Sequence, residues 1–179
     1  MLKKMIISLA TLVMFTAQAG NKNNVTIAGG EVSFLGKVVN AACAVSFQSK
    51  NQTISLGKVS TNQLPQLGGL YKAGDFEIQL DNCDLNTSQL AQINFKGVSD
   101  VKDPLILSVG DEKKSARGIG IAIYDSEDNF IPINQNSRTT YPLNEGLVKL
   151  KFIAKYKTTS REVVAGKVLS YAYFTVNYI

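Results

Sequence analysis

The sequence predicts an all-β fold, a sandwich assembled from many short strands. Several segments alternate apolar and polar residues with period two, the signature of a strand with one buried face. Turn-forming residues fall between them, and no long amphipathic helix interrupts the pattern. The chain has 179 residues, 45% of them hydrophobic and 18% charged. That length suits one domain once a targeting segment is removed, and the composition is globular rather than disordered.

Residues 1–19 read as a signal peptide. Lys3 and Lys4 form a basic start, and the apolar run from Met5 to Phe15 is broken only by Ser8 and Thr11. Ala17-Gln18-Ala19 is a small-x-small cleavage site, so the mature chain is expected to begin at Gly20. The run is too short for a membrane anchor, which needs about 20 residues. Losing Lys3 and Lys4 lowers the net charge of +5 by two. The remainder is too small and too diffuse for nucleic-acid binding.

Next comes Gly30-Glu31-Val32-Ser33-Phe34-Leu35-Gly36-Lys37-Val38. Gly30, Val32, Phe34, Gly36 and Val38 share one face, apolar with a gap in the middle. The alternation alone fits either an internal first strand or a segment that pairs elsewhere. Val39, Ala41, Cys43, Val45 and Phe47 continue it as an expected strand. Phe76-Ile78-Leu80, Leu105-Ile106-Leu107 after Pro104, and Ile119-Ile121-Ile123 are further strands. The clearest is Val148-Leu150-Phe152-Ala154-Tyr156, whose opposite face carries Lys149, Lys151, Ile153, Lys155 and Lys157. Those lysines are a solvated face that resists edge pairing rather than an anion site. Turns are expected at Leu67-Gly68-Gly69, Ser126–Asn129 and Asn144-Glu145-Gly146, and a short helical turn fits within Asn62–Leu70. The last run, Phe174-Thr175-Val176-Asn177-Tyr178-Ile179, puts Phe174, Val176 and Tyr178 on one face. A sandwich whose final strand ends there is expected to lack residues for a following strand.

Two cysteines, Cys43 and Cys83, in an exported chain read as one disulfide. In the chain-entropy account such a loop contributes about 4 kcal/mol. The sequence holds no histidine, which removes the usual triads and zinc ligands. Phosphate-loop and dinucleotide glycine patterns are missing too. The acidic run Asp125–Asn129 only loosely resembles a calcium loop and reads as a solvated turn. Hydrolysis by two separated carboxylates needs no motif and stays open on sequence grounds, although nothing points to it. No metal, cofactor or catalytic residue is therefore assigned, and the chain is not expected to be an enzyme.

Four motifs in register resemble the type 1 fimbrial major-subunit family of chaperone–usher pilins. Gly36-Lys37-Val38-Val39-Asn40-Ala41-Ala42-Cys43 is similar to its first-cysteine signature, and Ile78-Gln79-Leu80-Asp81-Asn82-Cys83-Asp84 to its second. Gly166 stands fourteenth from the end and Tyr178 is penultimate, as in its C-terminal signature. Ile179 is a small departure, since a polar residue also occurs there. The resemblance spans residues 20–179. It implies an incomplete immunoglobulin-like sandwich lacking its final strand and completed by donor-strand exchange. The division is then a signal peptide (1–19), a donor extension (20–40) and a pilin domain (41–179). Gly30, Val32, Phe34, Gly36 and Val38 would be the donor face. Gly166, Phe174, Val176, Tyr178 and Ile179 would form the acceptor edge, gripped first by a periplasmic chaperone and then by a neighbouring subunit at the outer-membrane usher. The implied role is a structural subunit of an adhesive fimbria on the cell surface, homopolymeric, with minor pilins and a tip adhesin as further partners. A minor adaptor or tip pilin is the alternative. A carbohydrate-binding adhesin fits less well, because that class carries an extra domain and lacks the extension.

Overall fold

The computed structural model describes residues 25–110 and 112–179, so the signal peptide and the expected mature start at Gly20 lie outside the described residues. The chain divides between Lys37 and Val38. Residues 25–37 form no helix or strand. Residues 38–179 hold the sandwich.

Its strands are β1 (Ala44–Val45), β2 (Leu70–Cys83), β3 (Leu90–Gly97), β4 (Leu107–Ser108), β5 (Ile119–Asp125), β6 (Phe130–Ile131), β7 (Tyr141–Pro142), β8 (Gly146–Thr158) and β9 (Ala172–Tyr178). One sheet runs in the order β1-β2-β8-β5-β4, with β6 also paired to β5; the other runs β7-β3-β9. All the strand pairs are antiparallel. This is the immunoglobulin-like sandwich without its last strand.

The long antiparallel β2–β8 pair carries the first sheet. Val148, Leu150, Phe152, Ala154 and Tyr156 point inward and are buried, as their alternation with lysines predicts. Three of those lysines meet acids: Lys149 with Glu77, Lys155 with Asp128, and Lys157 with Asp103. Phe76 and Phe152 stack at 5.3 Å between ring centroids, and Phe95 of the opposite sheet meets Phe152 edge-on at 5.3 Å. Offset and edge contacts of this kind are the favoured aromatic geometries. They tie the two layers together at the centre of the core.

Two expectations change. The run Val39–Phe47 is a strand only at Ala44–Val45. Ser46 then accepts a hydrogen bond from the Ser49 backbone N–H at 3.2 Å and caps a short helix, α1 (Phe47–Lys50). A serine cap satisfies an otherwise unpaired amide, and here it overrides the alternation. Leu105–Leu107 shortens to β4, because the 100–103 turn consumes the local hydrogen bonds: the Asp100 carboxylate accepts from the Lys102 and Asp103 amides. The helical turn appears at Thr61–Gln63.

Cys43 and Cys83 are bonded to each other, with their Cα atoms 4.1 Å apart. The bridge fastens the entry to β1 onto the end of β2.

Candidate functional site

β9 ends one sheet. Its ladder pairs only with β3, Ala91 opposite Tyr178, Ile93 opposite Val176 and Phe95 opposite Phe174. Among the described residues its other edge has no strand partner, so alternate N–H and C=O groups along it are unpaired. Such an edge is a template for another strand.

The inward side chains of this sheet reveal a step in burial. On β3, Ala91, Ile93 and Phe95 are 0%, 0% and 2% exposed. Directly across the ladder, Tyr178, Val176 and Phe174 touch the same core but are only half-buried. One more strand beyond β9 is what would finish their cover.

The end of the chain is held firmly. The Tyr178 hydroxyl donates to the Cys43 backbone carbonyl at 2.8 Å, linking β9 to the disulfide. Burial raises the Tyr178 pKa above the ordinary phenol value. The Ile179 N–H donates to the Leu90 carbonyl at 3.0 Å, and the Ser88 hydroxyl donates to the Ile179 carbonyl oxygen at 2.5 Å. A pre-set edge needs little ordering when it captures a strand.

Phe174, Val176, Tyr178 and Ile179 thus sit together at one edge. Gly166 does not. It lies before β9, where Lys167 bridges to Ser115, and a Cβ there would overlap the Ser115–Ala116 backbone. Its glycine serves a close approach between two segments of backbone.

The expected donor residues belong to the exposed N-terminal stretch. No strand forms over residues 30–38, so the internal first strand is absent from the described chain. Val32 and Val38 are exposed, Phe34 is 91% exposed, and the space a Cβ would fill at Gly30 and Gly36 is open.

The acidic run is a turn. The Asp125 carboxylate accepts from the backbone N–H groups of Glu127 and Asn129, both at 2.9 Å, and from the Asn129 side chain at 3.0 Å. Its oxygens are spent on its own loop rather than turned outward to a cation.

Strand β3, which backs the edge, is absent from the strands read off the sequence. The signal is there: Ala91, Ile93 and Phe95 alternate with Gln92, Asn94 and Lys96. The small Ala91 dilutes it. The Ser88 and Leu90 anchors carry no sequence signal at all.

An immunoglobulin-like sandwich one strand short, with an open edge beside its last strand, puts the chain in the class of incomplete β-sandwich subunits. The comparisons place the chain more closely. A family model described as fimbrial protein matches residues 32–179. Long polar fimbria protein A of Salmonella typhimurium is 32% identical over 171 residues, covering 93% of this chain and 91% of the relative. The type-1 fimbrial protein, A chain, of Escherichia coli K12 is 34% identical over 163 residues, 88% of each chain. Among solved structures, the P pilus rod subunit PapA superposes with a TM-score of 0.66 at 22% identity, over 78% of this chain and 100% of its own. A chaperone–usher pilus subunit superposes at 0.65 and 24% identity, over 87% and 98%. These two show the fold. The chain belongs to the fimbrial protein family, and it is a structural subunit of fimbriae at the cell surface.

Proposed function

We propose that subunits of this protein join by strand addition, residues 30–38 of one copy filling the open edge beside β9 of the next. The observation that carries the reading is the step in burial across the β3–β9 ladder, fully covered on β3 and half-covered on β9. Backbone hydrogen bonds to the free edge supply pairing, and alternate side chains complete the core. Val32, Phe34 and Val38 are the inserted side chains, with Gly36 where the space narrows. Covering one large apolar side chain contributes about 1.5–3 kcal/mol, so three make a long-lived junction.

An open apolar edge is an aggregation hazard until it is filled. A periplasmic chaperone that occupies β9 before assembly, and an outer-membrane usher where subunits are exchanged, answer that hazard. The role is structural rather than enzymatic and uses no cofactor.

The test is a subunit that keeps its signal peptide but lacks residues 20–40. It is expected to fold with its chaperone and to form the Cys43–Cys83 bond, because the removed segment lies before the sandwich strands, but not to extend a fibre through its N-terminus. Rods built solely from that truncation would contradict the reading.

A further inference from the structure

Leu35 and the pair Tyr171 and Tyr173 are among the exposed apolar side chains that an inward-facing donor leaves unexplained. Leu35 is 99% exposed and alternates out of phase with Val32, Phe34, Gly36 and Val38. Its companions on that opposite face are Glu31, Ser33 and Lys37, all polar. At the other site, Tyr173 is 76% exposed and Tyr171 70% exposed. Tyr173 lies on the outward face of β9, out of phase with Phe174, Val176 and Tyr178, and Tyr171 continues that phase just before the strand. Thr175 and Asn177 complete the outward row.

We infer that Leu35 of one copy packs over the Tyr171–Tyr173 pair of the next, forming a clasp on the outer side of the junction. The inference rests on the strand-addition reading above. Strand geometry carries the rest. If Val32, Phe34 and Val38 face the core, Leu35 must face outward, because successive side chains alternate. A strand laid along the free edge of β9 then places Leu35 in the same outward row as Tyr171 and Tyr173. This holds whichever way the strand runs. Side chains two apart on one strand are close enough that a long residue opposite one also reaches the other diagonally. Thr175, Asn177, Glu31, Ser33 and Lys37 offer no comparable apolar surface, so the clasp favours one register of the incoming strand. A slip by two residues keeps the inward alternation but takes Leu35 off the tyrosines. The inner face, with a glycine at each of two positions, excludes such a slip less strictly than a face filled throughout. The outer clasp therefore helps to select the register.

The experiment measures dissociation of assembled rods at a fixed denaturant concentration. Full-length subunits carry Leu35→Ser, Tyr171→Ser, Tyr173→Ser, or Leu35→Ser with each tyrosine change. Each single change is expected to speed dissociation about two- to fivefold, as for loss of one cross-strand pair. The doubles are expected to be no faster than the faster single, because the partner is already gone. Leu35→Met and Tyr173→Phe should behave like the native chain. Where Leu35→Ser yields no rods, Leu35→Val enters the same cycle. Effects that multiply in both doubles, or no effect of Leu35→Ser, would overturn the clasp. Phe34→Ser separates the two readings. If it weakens rods while Leu35→Ser does not, the clasp alone fails; if neither matters, strand addition by this segment fails.

Discussion

At the scale of single residues, the two glycines of the terminal motifs do different work. Gly166 admits the backbone of Ser115 and Ala116, and its place is fixed inside the sandwich. Gly36 meets nothing within 4 Å in the single chain. Its lack of a side chain matters only once another subunit surrounds it. Gly36→Leu should therefore leave the melting temperature of the isolated subunit unchanged. Overpacking costs about 1–3 kcal/mol, so the same change should slow or stop rod growth, with Gly36→Ala milder. Growth at the native rate, followed by light scattering, would count against the placement of Gly36 in a filled groove. Sequence alone shows both glycines in their motifs but does not separate these uses. The difference depends on which backbone comes near, and that is set by residues far away along the chain.

At the scale of elements, Lys157 near the end of β8 holds the turn before β4 through Asp103, at 2.7 Å. Burial by itself would push the Asp103 carboxyl up. The hydrogen bond and charge of Lys157 and the Leu105 N–H outweigh it and hold the pKa below the ordinary carboxylate value. A pKa depressed by folding stabilises the native state above the unfolded value, about 3.9, and the contribution is lost as pH falls through the folded value. Asp103→Asn should thus lower stability at pH 7 by about 1 kcal/mol or less, since the pair is partly exposed. It should also flatten the acid side of the stability–pH curve. Melting temperatures of both proteins from pH 7 to strongly acid pH check this; parallel curves would contradict it. The elements themselves were unevenly legible. β8 and β5 show in the sequence because five or more residues alternate and the strands are long. β1 shows as a longer run than it is, because Ser46 turns the chain into α1 after two residues. β6 and β7, two residues each, are made by their pairing partners rather than by local pattern.

At the scale of the whole molecule, the fold is a sandwich whose last strand leaves half-buried side chains beside a free edge, together with an exposed segment of matching alternation. The Cys43–Cys83 bridge and the Tyr178 hydroxyl fasten that last strand to the first, so the edge is set before it is filled. The alternation of residues 30–38 is plain in the sequence, yet it cannot distinguish an internal strand from one lent to a neighbour. Both demand the same period of two. What decides is whether the segment finds a ladder in its own chain, and none forms over it among the described residues. Hydrogen exchange tests the central claim most directly. Backbone amides of residues 30–38 and of β9 are compared by mass spectrometry in isolated subunits and in assembled rods. Strand addition predicts that residues 30–38 exchange freely in the subunit, and that both segments become strongly protected together in the rod. Residues 30–38 that exchange as fast in rods as in single subunits would contradict the account.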